Sequence, residues 1–425
     1  MLPPGPRRPG ALQSVEFGLD PHGFLLRARE RFGDAFTVRP FGQRWVVLSD
    51  PADVRAVFAL TPDDANSGEA NQPIRAVVGT RNVLLLDGAE HLARRRLVLP
   101  PFHGDRMRAY EGIVREEVAR LVATWPPRRL ALASSMQAIT FGVILRAVFG
   151  VEDAARLTRL RDVLRALLAW TTDLKAGAIF AFAGPERMMA MPAFRRQLEA
   201  VNAEVLAEVR RRRDDPGLAE REDVLSLLLG ARDEAGEPLT DRDLRDELVT
   251  LLVAGHETTT ALLSWAFHDL ARDPAAAARV AAGEEGFADR VVSETLRLHP
   301  PVPLVVRALR RSLRLAGHDL PAGAVVAPCA VLVHRRPDLY AEPGAFRPDR
   351  FAAGRPVAGA FLPFGGGVRR CVGAAFAQFE ARIVLEEVCR RFALRPGLPF
   401  REPVGRRGIV LVPALGARVA VSARP

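Results

Sequence analysis

The strongest periodic signal in the chain lies between residues 240 and 272. Leu244, Leu248, Leu251, Leu252, Leu262, Leu263, Phe267 and Leu270 recur at the spacing of one helical face. Thr240 and Asp243 stand in the relation of a capping box at its start, and Asp273-Pro274 marks its end. The pattern predicts a helix of about 32 residues, roughly 48 Å long, enough to cross the width of a domain. Its middle, Ala254-Gly255-His256-Glu257-Thr258-Thr259-Thr260, breaks the pattern. Glycine and three successive threonines are poor helix formers, and Glu257 falls where burial should be deepest. A local rule broken inside a core element is where function is expected, so an irregular helix with room beside it is predicted there.

Elsewhere the pattern is mainly helical. Strand character at Phe36, Val38 and Trp45–Leu48, around the turn Phe41-Gly42-Gln43-Arg44, predicts a hairpin over 34–50. Asp50-Pro51 then opens a helix with proline in its first turn. Helices are predicted near 90–100, 105–124, 134–149, 153–170, 192–213, 222–230 and 284–298, with a last one from just after Cys371 to about Phe392. Strand-like pieces fall at 304–309, 312–315, 324–334 and 408–422, the third of them holding Cys329, and an irregular proline-rich stretch spans 335–363. With no linker, low-complexity run or internal repeat, the reading is a mainly α fold with small β-sheets, a single large domain over 1–425 with a short proline-rich lead over 1–20.

Composition narrows this. The chain has 425 residues and is 48% hydrophobic, enough for a large core without disulfides or a structural metal. The stretch Met1-Leu2-Pro3-Pro4-Gly5-Pro6 is not preceded by the apolar run of a signal peptide or an anchor, which predicts a soluble, cytoplasmic protein with no membrane anchor. Three cysteines, Cys329, Cys371 and Cys389, make neither a disulfide framework nor a C-x-x-C zinc pair. Net charge is +10, yet only Arg210-Arg211-Arg212-Arg213 forms a basic run, without clustered aromatics, and it is expected to be the solvated C-terminal end of helix 192–213. No nucleic-acid partner follows. A partly basic surface could instead receive an acidic protein.

Cys371 stands between the glycine-rich stretch Phe364-Gly365-Gly366-Gly367-Val368-Arg369-Arg370 and a predicted helix. Glycines allow close approach of a flat ligand, and free N–H groups at a helix start can donate to sulfur. The helix dipole, Arg369 and Arg370 would favour thiolate. These features alone leave three readings: a metal ligand, a nucleophilic or redox thiol, and a buried structural cysteine. The wider pattern separates them. Phe364, Gly367, Arg369, Cys371 and Gly373 stand as F-x-x-G-x-R-x-C-x-G, which closely resembles the haem-binding signature of cytochromes P450. Four further motifs resemble that family in its order: His91-Leu92-Ala93-Arg94-Arg95, Ala254-Gly255-His256-Glu257-Thr258-Thr259, Glu294-Thr295-Leu296-Arg297 and Pro348-Asp349-Arg350-Phe351. The resemblance spans nearly the whole chain.

The resemblance implies the cytochrome P450 fold, with the long helix crossing a haem b (iron protoporphyrin IX), and the activity of a haem-thiolate monooxygenase. Cys371 would be the axial iron ligand, with Phe364 shielding the sulfur and Gly367 and Gly373 shaping the loop. His91, Arg95, Arg307 and Arg369 would meet the haem propionates, which need charge-assisted hydrogen bonds in an apolar slot. Glu257 and Thr258 would deliver protons for oxygen activation. Glu294, Arg297 and Arg350 would form a buried network holding the proximal loop, a structural role. Cys329 and Cys389 are expected to be small buried hydrophobes. Segments 65–86, 167–190, Pro303–Val306 and 405–409 would shape a pocket for a hydrophobic substrate, with Ala254, Gly255, Val305, Val306 and Phe180 as candidates.

Competing motifs fail. His256-Glu257 begins the zinc-protease pattern H-E-x-x-H, but its second His position holds Thr260. The Gly365 loop does not complete G-x-G-x-x-G, and no phosphate-binding G-x-x-x-x-G-K-[ST] occurs. With no built-in reductase motif, electrons are expected from a ferredoxin or flavodoxin with its reductase, docking on a monomer near Arg369 and Arg370. Two alternatives remain: a peroxide-dependent haem-thiolate peroxygenase, and a non-catalytic haem-binding sensor.

Overall fold

The computed structural model describes residues 2–104, 106–126, 128–172, 186–354 and 356–424. Helices α1 (Gly10–Leu19) and α2 (Pro21–Phe32) lead into strands β1 (Ala35–Val38) and β2 (Trp45–Leu48), helix α3 (Pro51–Phe58) and strand β3 (Ala65–Asn66). A helical body follows: α4 (Gly88–Val98), α5 (Arg106–Val122), then strand β4 (Arg129–Ala131), α6 (Leu132–Phe149), α7 (Ala154–Thr172), α8 (Pro192–Arg213), α9 (Val224–Gly230), α10 (Asp241–Leu270), α11 (Pro274–Ala281) and α12 (Phe287–Leu298). Strands β5 (Arg307–Leu309), β6 (Leu313–Leu315), β7 (His318–Leu320) and β8 (Val325–Pro328) come next. After an irregular stretch come α13 (Ala374–Arg391) and strands β9 (Phe392–Pro396), β10 (Val404–Arg407), β11 (Val410–Pro413) and β12 (Arg418–Ala423).

Helix α10 organises the rest. The Thr240 hydroxyl accepts from Asp243 N at 3.2 Å, and the Asp243 carboxylate accepts from Thr240 N at 3.2 Å, so the capping box forms at the predicted place. The helix runs 30 residues and ends at Leu270, the last residue of its apolar pattern and two residues short of the predicted Asp273-Pro274 stop. It lies against α6, α8, α12 and α13, and the apolar faces of these helices form the main core. Helix α6 is apolar and long enough to cross a membrane by length and composition, but 67% of it is buried in that core.

Beside the helices lies a sheet in the order β1-β2-β8-β5-β3, in which β2 and β8 are parallel and the other pairs antiparallel. The predicted 34–50 hairpin is its β1–β2 edge, with Phe36 opposite Val47. Asp50 caps α3, accepting from Ala52 N at 2.8 Å, and Pro51 takes the first helical position. Arg307 begins β5 opposite Val326. The C-terminal chain forms the β10–β11 hairpin and the sheet β4-β12-β9.

Three expectations are corrected. The strand-like stretch 324–334 stops at Pro328: Cys329 N closes the sheet on Leu48 O at 2.9 Å, and Cys329 O then accepts from Val333 N, turning Ala330–Val333 into a helical turn. Cys329 therefore sits at the junction, fully buried, and not inside a strand. The segment 254–260 stays continuous helix, because tertiary packing outweighs the low propensity of Gly and Thr. Finally, Arg210–Arg213 is not wholly solvated. Arg212 is buried, binding the Asp223 carboxylate, the Ser226 hydroxyl and the carbonyl of Phe149, and so ties α8 to the α6 end and the start of α9.

Candidate active site

The Cys371 loop is closed from within: Cys371 N donates to Phe364 O at 3.0 Å. Gly365 and Gly367 adopt left-handed φ of 65° and 64°. The close approach that requires glycine here is partly to protein. A Cβ on Gly366 would enter the Phe58 ring, and one on Gly367 would lie 2.1 Å from Phe58 O, so the end of α3 packs directly on the loop. The Cys371 side chain is open to solvent-sized space although protein surrounds it at longer range. That surrounding burial raises its thiol pKa, against the Gly373 N–H bond to sulfur and the charges of Arg95 and Arg370. Arg370 and the Gly373 N–H act in the expected direction, but desolvation outweighs them. Arg369, expected to help, is turned elsewhere.

Arg369 donates to Val83 O at 3.2 Å and Leu86 O at 2.6 Å, and pairs with Asp87. Arg307 donates to Gly366 O at 3.3 Å and Val306 O at 2.9 Å. His91 is buried, and Arg95, one turn further along α4, has no hydrogen-bond or ion-pair partner among the described residues. The four feel one another. Burial lowers the His91 pKa to about 4, helped by Arg369 and Arg95. Burial lowers Arg307 and Arg369 to about 10, Arg307 further disfavoured by Arg369 and Arg369 by Arg95. Asp87 opposes the shifts of His91, Arg307 and Arg369. A dense group of basic side chains is therefore short of anions.

Glu294 and Arg297 are completely buried on α12 and meet in a two-armed pair at 2.7 and 2.8 Å. Arg350 Nε adds a bond to Glu294 at 3.0 Å, and Arg347 N one at 2.8 Å. Arg297 also donates to the carbonyls of His334, Pro343 and Ala345. The three sequence-predicted residues come together and pin the irregular stretch ahead of the cysteine loop.

In the middle of α10, Ala254 is exposed, and Val253, Gly255 and Thr258 are partly exposed, between two buried halves. Space therefore opens beside an unbroken helix. The Thr258 hydroxyl donates to Ala254 O, four residues back, at 2.7 Å. Glu257 points away, toward α6, where Gln137 Nε2 donates to it at 3.2 Å. Arg407 of β10 approaches the other oxygen at 3.7 Å, and that oxygen has no hydrogen-bond partner. Burial raises the Glu257 pKa, with Arg407 and Gln137 opposing. Glu257 and Thr258 are not hydrogen-bonded to each other. His256 is buried against Phe141 and bonded to Thr140 at 3.0 Å, a packing role.

Of the pocket candidates, Val305 lies next to Gly365 and Val306 O accepts from Ser67. Gly255 packs on Ile144, and Phe180 lies outside the described residues. Sequence reading missed Asp87, Gln137 and Arg407. It also missed the acids at the start of α10: Asp243 binds Arg81 and Arg94, Asp246 accepts from Thr80 N and Arg81 N, and Glu247 accepts from Val83 N. No local motif marks these pairings, since each partner is distant in sequence; Asp243 was marked only through its capping box with Thr240.

The cytochrome P450 family model matches residues 3–283 and 286–418. Cytochrome P450 135B1 of Mycobacterium tuberculosis is 41% identical over 99% of this chain and 92% of its own length. The chain is a cytochrome P450. Cytochrome P450 135A1 of the same species is 35% identical over 98% of this chain and 94% of its own length. The fold is likewise shared: a retinoic-acid-bound cyanobacterial CYP120A1 superposes with TM-score 0.85 at 24% identity, over 100% of this chain and 99% of that one. The haem domain of cytochrome P450DA gives 0.87 at 24%, over 100% and 98%.

As a P450, the chain binds haem b and is a monooxygenase oxidoreductase, using O2, redox partners and a hydrophobic substrate. The residues present fit that cofactor. An open cysteine sulfur suits the iron, and the anion-poor group of His91, Arg95, Arg307 and Arg369 suits two propionates.

Proposed function

We propose that the Cys371 sulfur would hold the haem iron of this P450, that Gly373 N–H would tune that sulfur, that Gly367 and Phe364 would shape and shield the loop, and that His91, Arg95, Arg307 and Arg369 would hold the propionates. The observation that carries this reading is the concentration of buried, anion-poor basic groups, with Arg95 electrostatically coupled to Cys371. Bound there, the haem would supply reductive activation of O2, which an anionic sulfur ligand would favour. Cys371 would hold the metal as thiolate, an ionisation that metal binding would favour against the burial that raises its pKa.

The chain's own residues govern protons and position. Glu257 holds a proton on its unpartnered oxygen, which burial favours and Arg407 moderates. The Thr258 hydroxyl, partly exposed where α10 opens, exchanges its bond to Ala254 O for one to water and passes the proton on. Glu294, Arg297 and Arg350 act structurally, fixing the chain before the loop. Ala254, Gly255, Val305 and Val306 line the space for an apolar substrate, and Phe180 belongs to the same group by sequence. Electrons come from a ferredoxin or flavodoxin with its reductase. Arg370, exposed beside the loop, is the better docking cation, because Arg369 is held by Asp87. The chain acts as a single domain and a monomer in the cytoplasm.

Reduced protein under carbon monoxide should show the red-shifted Soret band of thiolate ligation, and Cys371→Ala should abolish it. An unshifted band in the parent protein would overturn the assignment. Turnover with a reductase system but not with peroxide alone separates this reading from a peroxygenase or a sensor.

A further inference from the structure

A cavity of about 250 Å³ lies at the C-terminal end of α10. The helix rise puts His268 about 15 Å along α10 from Thr258, and no residue of the Cys371 loop lines the space. Trp265 of α10, Leu298 of α12, His22 of α2, Arg335 and Val404 of β10 wall it, and Gly344 stands exposed at its edge. One buried water needs only ~10–15 Å³ of such space, so there is room for a molecule of several heavy atoms.

Hydrogen bonding around the cavity is unbalanced. The nearby carboxylates are already taken. Asp269 accepts from His268 at 3.1 Å, Arg401 at 3.0 Å and His299 at 3.0 Å, and Glu402 accepts from the main-chain N–H groups of Leu415, Ala417 and Arg418. Two donors are not. Trp265 is 1% exposed, and its Nε1–H has no partner. The buried Nε–H of Arg335 has none either, although its Nη2 donates to Leu298 O at 3.1 Å. No carboxylate lies within ion-pair distance of Arg335 among the described residues. Burial lowers the Arg335 pKa to about 10, with Arg297 adding to the shift, so the guanidinium is still a cation at neutral pH. Burial, then Arg335, takes His22 down to about 3, so His22 adds no second charge. An unneutralised cation and a second stranded donor, set beside Leu298, Val404 and the Trp265 ring, match an anionic acceptor with an apolar body.

We propose that this cavity binds a small organic carboxylate, its oxygens on Arg335 and the Trp265 Nε1–H and its apolar part against Leu298 and Val404. Benzoate is the probe. Equilibrium dialysis of the haem-loaded full chain should show one saturable benzoate site with the Soret band unmoved. Benzamide keeps the shape and loses the charge, so it should bind at least about tenfold more weakly. Gly344 lies outside the left-handed region, and a Cβ there would meet nothing within 4 Å. Gly344→Phe can therefore fill the entrance without backbone strain, and it should abolish benzoate binding while the haem spectrum is kept. Arg335→Gln should erase the preference for benzoate over benzamide. Trp265→Phe removes one donor and should weaken benzoate about three- to tenfold. No bound benzoate in the parent protein overturns the proposal, and so does equal affinity for benzoate and benzamide. Binding that shifts the Soret band and survives Gly344→Phe belongs to the haem pocket, and the proposal then falls.

Discussion

Glu294 and Glu257 are both buried carboxylates on helices, and the structure treats them in opposite ways. Glu294 is saturated: one oxygen accepts from Arg297, Arg347 N and Arg350, and the other from Arg297 again. Glu257 accepts one bond, from Gln137, and its second oxygen has only Arg407 at 3.7 Å. A carboxylate with both oxygens engaged by Arg297, and one of them also by Arg350 and Arg347 N, holds geometry. One left partly unpaired in a buried setting pays for its charge, so its pKa rises and it can exchange a proton. The contrast separates an acid fixed in place from one whose pKa is raised by burial, without reference to sequence motifs.

The sharpest break of this comparison is Glu294→Ala. It strands Arg297, which is fully buried, and removal of one partner of a buried pair costs about 3–5 kcal/mol. Little or no haem-loaded protein is expected, measured as the absorbance ratio of Soret band to protein. Glu257→Ala should by contrast fold and load haem normally. Equal loading by both variants would remove the distinction.

What the sequence conveys follows the same division. Where a partner lies within a few residues, the pattern suffices: the Thr240–Asp243 box, the Glu294–Arg297 pair and the loop from Phe364 to Cys371 were all legible. Where the partner is distant, it was not. Arg369 was expected to help ionise Cys371, but it is held by Asp87, 282 positions away. Arg407 reaches Glu257 only because the β10–β11 hairpin lies along α10. The residues at 254–260 were expected to make the helix irregular, yet the structure has an opening beside a continuous helix there. Helix propensity is worth tenths of a kcal/mol per residue, and packing overrides it.

A smaller effect tests the exchangeable acid itself. Glu257→Gln keeps size and polarity but carries no titratable proton, so product formation with a reductase system should fall about 100-fold while haem binding is kept. Thr258→Ala should still take up electrons but release them as hydrogen peroxide, so product per electron falls. Full coupling in that variant would sink the relay. The pH profile gives the sign. Glu257 must be protonated to donate, so activity should decline as pH rises through its pKa. Arg407 holds that pKa down, so Arg407→Ala should move the declining limb to higher pH.

Glu247 lies between the two cases and sharpens the line. It is fully buried on α10, one oxygen accepting from Val83 N at 3.1 Å and from Arg94 at 3.5 Å, the other unpartnered. Burial pushes its pKa up from 4.5 to about 7 despite Arg94. The folded protein therefore holds a proton that the unfolded chain has lost between those values. Stability should fall as pH rises across that window and level off above it. The greatest slope from one proton is about 1.4 kcal/mol per pH unit. Urea unfolding at pH 5 and pH 7.5 should show the decline in the parent protein and a flatter profile in Glu247→Gln. If the slope is the same in both, the titration belongs to other groups. Partial pairing would then not be enough to raise the pKa of a buried acid in this fold, and the raised pKa of Glu257 would need more than its missing hydrogen bond.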